Sequence, residues 1–173
     1  MAARGLFDRL AASQHALLAV LSAWLILTSP WVHLYRRIPR NAGFLDYSHI
    51  ALGLVALLLA ITFTVSCTQL GRWRLYFPWL AGNFRQTGLD LRRLARREIP
   101  SAEGGGLFGV IKGLLLLTVL VTAVTGAGWL VSEGSAAAVA WRQYHILAAQ
   151  GMIVFFVLHI VAASLHLLEF IRE

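Results

Sequence analysis

The sequence predicts an all-α fold: an integral membrane four-helix bundle with a short amphipathic surface helix between helices two and three. Three observations carry that expectation. The 173-residue chain is 58% hydrophobic and only 13% charged, where soluble domains run at roughly 45–50% and 25%. Its apolar residues gather in four blocks, each near or above the roughly 20 residues that cross a bilayer. Between the second and third blocks lies a basic stretch with helical spacing. One compact membrane domain over residues 1–173 is the natural reading, against a soluble helical protein with unusually apolar cores.

Helix one is expected from about Phe7 to Leu34, with Pro30 bending its outer end. Lipid-embedded helices tolerate such a bend when neighbours re-satisfy the backbone. Arg4 and Arg9 precede an apolar run that is too long for a signal peptide and lacks a small-residue cleavage site before Ser29-Pro30, so it reads as a retained helix. Helix two is expected over roughly Leu45 to Thr68, after a polar turn containing Pro39, Asn41 and Gly43. Helix three should run from about Leu107 to Val131, behind the helix-breaking Gly104-Gly105-Gly106. That run has no strand before it and no Lys-Ser/Thr after it, so it is a linker and not a phosphate loop. Helix four should start near Ala140 and reach about Ile171.

The connection from Gly71 to Gly106 departs from this plan. Trp73, Tyr76, Phe77 and Trp79 open it, the aromatic belt of a headgroup boundary. From Phe84 to Ile99, the apolar Phe84, Leu91, Leu94 and Ala95 recur at helical spacing, while Arg85, Arg92, Arg93, Arg96 and Arg97 occupy most of the remaining circumference. Such a helix lies along the inner membrane surface, apolar side down and arginines toward anionic lipid. A docking platform for a soluble partner is the alternative.

The net charge of +7 is no nucleic-acid footprint, because most of it falls in this one connection. Arg72, Arg74 and the five arginines above face only Asp90, Glu98 and Glu103. Blocks three and four are joined by a segment carrying only Glu133 and Arg142. The positive-inside rule then puts the basic connection, and with it both termini, in the cytoplasm of a multi-pass membrane protein. Arg36, Arg37 and Arg40 argue the other way, and seven arginines outweigh three. A single cysteine, Cys67, without CxxC or CxxCH excludes a cysteine-held iron–sulfur cluster and covalent haem attachment. Cys67 itself reads as a small buried hydrophobe.

The chemistry is carried by histidine, which is costly inside lipid and seldom stays there without a partner. His145 and His159 lie fourteen residues apart on helix four. At about 100° per residue that interval is within about 40° of four full turns, and at roughly 1.5 Å per residue it spans about 21 Å. Both rings therefore face one way at two depths. His49, near the outer start of helix two, can meet His145; His15, near the cytoplasmic start of helix one, can meet His159. Each level then has two imidazoles from different helices, enough to hold one haem iron from both sides. Zinc or copper would also accept imidazole but would usually recruit carboxylate or thiolate as well. A low-spin iron with two imidazoles has no open position for substrate, which points to electron transfer.

Two histidines remain. His166 is seven residues past His159 and about 20° off the same face; it could exchange a proton with a quinone or simply be hydrated at the interface. His33, eighteen residues after His15, is the rival to His49 as outer ligand, although its place after Pro30 favours an interfacial role. Gly53 and Gly151 remove side-chain bulk where a flat macrocycle must approach backbone, or where helices pack. Arg9, Arg36, Arg40 and Arg142 sit near the membrane edges, where haem propionates need cations and where arginine also snorkels.

Four helices with histidines at 15, 49, 145 and 159, and a further one at 166, resemble the bacterial cytochrome b561 family. That family is related to the cytochrome b subunits of nickel–iron hydrogenases and formate dehydrogenases. The resemblance covers essentially the whole chain, and the fourteen-residue interval is its most specific mark. It implies two non-covalent haem b groups, an inner one on His15 and His159 and an outer one on His49 and His145. It further implies electron transfer across the membrane between a periplasmic-side redox partner and quinone, as part of a respiratory oxidoreductase, with a quinone site near His166 and Arg9. The expected partners are membrane lipid, quinone and a periplasmic or membrane-associated oxidoreductase subunit, with no nucleic acid. The alternative is a stand-alone superoxide:ubiquinone oxidoreductase, and a third reading is a structural anchor that has lost its cofactor. Ala16 follows His15 where the superoxide-oxidising members place tryptophan, and the Gly71–Gly106 connection is longer than theirs, more like cytochrome subunits beside a larger enzyme.

Overall fold

Long proline-free apolar runs become long helices, and each break between them has a local cause. The computed structural model describes residues 2–82, 84–96, 98–100 and 105–172, with side chains from Ser13 onward except those of 169, 170 and 172. The Arg9 side chain, Arg97, Glu103 and Gly104 thus lie outside the described residues. The helices are α1 (Ala2–Thr28), α2 (Phe44–Gln69), α3 (Trp73–Tyr76), α4 (Phe84–Ala95), α5 (Leu107–Val131) and α6 (Ala137–Arg172), with a 3-10 turn over Ser29–Trp31. No strand occurs among the described residues. Among the described residues, three helices are long and apolar enough to cross a membrane: α2, α5 and Ala137–Leu168 of α6.

Boundaries follow backbone chemistry. Helix α1 stops at Thr28 and not near Leu34, because Pro30 has no N–H to continue the ladder. The chain tightens into the 3-10 turn, Val32 turns extended, and its N–H donates to the Ser29 carbonyl at 3.2 Å. The Thr28 and Ser29 hydroxyls donate back to the Trp24 and Ile26 carbonyls, both at 2.8 Å, and the Ile26 carbonyl is the acceptor that Pro30 leaves open. Pro30 therefore terminates the helix; the expected bend does not occur. The amphipathic α4 ends at Ala95 and not at Ile99. Arg96 shares its N–H between the Arg92 and Arg93 carbonyls, a tightened last turn.

The chain forms two compact units, one of residues 1–66 with 118–151 and one of residues 67–117 with 152–173. In the first, Leu18, Ala56, Ala60, Phe63 and Val119 form a buried apolar centre. The loop after α1 is tied to the α5–α6 turn. Arg36 donates from Nε to the Gly134 and Ser135 carbonyls, the Gly134 N–H returns a bond to the Arg36 carbonyl at 2.9 Å, and the Ile38 N–H donates to Glu133 at 3.0 Å. The Trp129 indole donates to the Tyr35 carbonyl at 2.7 Å.

In the second unit, α3 lies against a glycine face of α5. A Cβ on Gly109 would run into the Leu75 carbonyl, and one on Gly113 into the Tyr76 carbonyl and the Trp79 ring. These glycines are one turn apart, so backbone approaches backbone along a stripe where no side chain fits. Carbonyls cannot move aside as a flexible side chain can. Gly113→Val is accordingly expected to displace residues 73–79 and to cost about 1–3 kcal/mol as overpacking, read as a lower melting temperature and faster proteolysis between α2 and α4. Burial pushes the Tyr76 phenol up to about 12, so it stays protonated and is within hydrogen-bonding reach of Cys67. Fully buried Asp90 of α4 accepts the Leu107 N–H and the Gln86 amide, each at 2.9 Å, and so caps α5 from a separate helix.

Candidate functional site

Helices α2 and α6 bring His49 and His145 together. Their ring centroids are 6.1 Å apart and the planes stand at 84°. A metal–imidazole bond of about 2 Å on each side, plus the ring radii, requires roughly 6 Å between centroids. The separation therefore suits one metal ion held between the two rings. His145 Nδ1 lies 2.9 Å from the Thr122 carbonyl of α5. A carbonyl only accepts, so Nδ1 carries the proton and Nε2 keeps its lone pair for a metal. His49 has a buried Nδ1 with no hydrogen-bond partner, the kind of orphan that a bound group resolves. Among the described residues no three His, Cys, Asp or Glu side chains converge. A macrocycle would supply the other donors to a site of two imidazoles, and these residues fit haem.

The surroundings of this pair are specific. A Cβ on Gly126 would stand 3.2 Å from the His145 ring, so α5 must be bare there for the ring to lie against it. A Cβ on Gly53, one turn after His49, would meet nothing within 4 Å, so this glycine is no packing contact. Gly151 is one, since its Cβ would sit 3.6 Å from the Thr118 methyl. Arg142, one turn before His145, donates from Nε to the Leu34 carbonyl at 2.8 Å and lays its guanidinium over Tyr35.

Asp46, three residues before His49, is buried at 3% exposure. Its oxygens accept the His33 N–H at 2.7 Å and the Gly43 N–H at 2.9 Å. It pins the loop that leads into α2. His33 is exposed and serves through its backbone, while His49 meets His145. Asp46→Ala strands two backbone donors, each bond to a charged acceptor being worth about 1.5–3 kcal/mol. The expected result is a clear loss of thermal stability with the outer loop freed, checked by melting and by hydrogen exchange at His33 and Gly43; Asp46→Asn, which keeps one acceptor, should lose less.

The other predicted residues fall as follows. His15 of α1 is exposed, its ring 6.1 Å from that of Phe63 and tilted by 45°. His159 of α6 stacks on Phe108 of α5 at 5.5 Å with the planes 11° apart, and His166 meets the same phenyl edge-on at 5.4 Å. Lys112, one turn along α5, holds its ammonium 4.6 Å from the Phe108 centroid and 5.6 Å from that of Tyr76. Sequence reasoning does not single out Lys112 or Asp46, although a lone charge in an apolar block is itself a signal. The Thr122 carbonyl carries no signal, being backbone.

The apolar spans make this a multi-pass membrane protein, and the matched imidazole pair suits a cytochrome of the haem b, electron-transferring class. The chain belongs to the prokaryotic cytochrome b561 family, whose model matches residues 6–170. No curated protein and no solved structure matches it.

Proposed function

We propose that residues 1–173 form a single di-haem cytochrome b domain that passes electrons across a bacterial inner membrane, between a periplasmic-side redox partner and quinone, as a subunit of a respiratory oxidoreductase. The observation that carries this reading is the His49–His145 pair, 6.1 Å apart with the His145 tautomer set by Thr122. These two residues would hold the outer haem. The inner pair, His15 with His159, rests on the fourteen-residue interval of α6 and on membership of the family. With α1 as the fourth span, the bundle has four membrane helices, and the arginines between α2 and α5 support cytoplasmic termini. Haem b supplies one-electron chemistry, and two imidazoles per iron leave no position for substrate. Quinone reacts near His166 and Arg9, on the side where His159 lies. The long basic connection supports a subunit docked to a larger enzyme, with lipid around the spans.

Purification from native membranes tests the proposal. Two b-type haems per chain, reducible by quinol, together with a co-purifying periplasmic-side subunit are expected. One haem or none per chain would overturn it.

A further inference from the structure

We propose that Lys112 raises the midpoint potential of the haem held at His159, a role that rests on the ligand assignment above. Lys112 is the only lysine in the chain, and it lies five residues inside a span. Charge at that depth is costly and is kept where it has a use. Its ammonium is laid against the Phe108 and Tyr76 rings, and among the described residues no carboxylate pairs with it. The same Phe108 ring stacks on the His159 imidazole. The positive charge and the proposed ligand thus contact one and the same phenyl ring, in a medium that screens poorly.

The sign follows from the charge on the cofactor. Iron in a porphyrin dianion with two neutral imidazoles is +1 when ferric and neutral when ferrous. A nearby cation opposes the ferric form, so one electron is accepted more readily and no proton need move. The haem at His159 becomes the better acceptor, which draws electrons away from the His49–His145 side toward the quinone side. Nothing in this depends on Lys112 changing its own protonation.

Redox titration of the purified two-haem protein tests the assignment. Lys112→Met should leave two haems per chain and lower one potential only. The expected shift makes that haem about tenfold less reduced at fixed ambient potential, about 59 mV for one electron. Lys112→Arg should restore it, and Lys112→Gln provides the same readout if the methionine variant does not accumulate. In a His145→Ala background, which keeps only the haem at His159, the shift should persist. Potentials that stay put in both neutral variants overturn the proposal and leave Lys112 as a snorkelling anchor; equal shifts of both haems overturn it as well. A His159→Ala chain that retains two haems defeats the ligand assignment instead, whatever Lys112 does.

Discussion

His145→Ala is expected to cut haem content from two per chain to one, with the surviving haem keeping its spectrum. The substitution removes one of the two rings that stand 6.1 Å apart, and a haem b held without covalent attachment depends on its axial bonds. It also removes the donor to the Thr122 carbonyl, which keeps the Thr125 hydroxyl as a donor, so the loss is that of one hydrogen bond, about 0.5–1.5 kcal/mol. That second loss separates two explanations of any haem deficit. His145→Gln can restore a donor to Thr122 without a strong iron ligand, so it should recover melting temperature but not haem. Recovery of both would mean that His145 packs and does not ligate. His49→Ala should give the same one-haem protein as His145→Ala, and the double variant should be no poorer in haem than either single one. A further drop in the double variant would place the two histidines at different cofactors.

The three spans and the imidazole pair are legible in the sequence for one physical reason. Helical period and apolar run length are properties of the sequence itself, so α5 falls over Leu107–Val131 as expected, and His49 meets His145. The rest is decided by tertiary contacts. The four-residue α3 is too short to persist on propensity; it exists where its carbonyls lie on Gly109 and Gly113. Pro30 reads as a bend because lipid-embedded helices tolerate proline, but the loop that follows has somewhere better to go, bound through Arg36 to the α5–α6 turn. Arg36, a candidate propionate cation by position, spends its Nε on that loop. Asp90 looks like one counter-charge among arginines, since nothing local tells a carboxylate at the surface from one that caps a helix seventeen residues away.

Asp90→Ala should be strongly destabilising, on the scale expected for Asp46→Ala. Asp90 is 0% exposed although it belongs to a surface-type helix. One oxygen accepts the Leu107 N–H and the other the Gln86 amide. The first N–H groups of a helix have no partner within it, and a carboxylate there also meets the positive end of the helix dipole. Alanine removes both bonds and leaves a cavity, a loss of about 2–4 kcal/mol by the usual cost of bonds to a charged acceptor. Asn is the informative control. Its oxygen can keep the Leu107 N–H while its amide faces Gln86, whose own amide turns to present Oε1, so most stability should return. Gln86→Ala should cost less than Asp90→Ala, because the Leu107 bond survives. Limited proteolysis in the Gly71–Gly106 connection and the melting temperature read the series, with Ala well below Asn and Asn near wild type. If Ala and Asn melt alike, the negative charge is what secures α4 to α5; if neither differs from wild type, the cap contributes nothing and α4 is held by its apolar face alone.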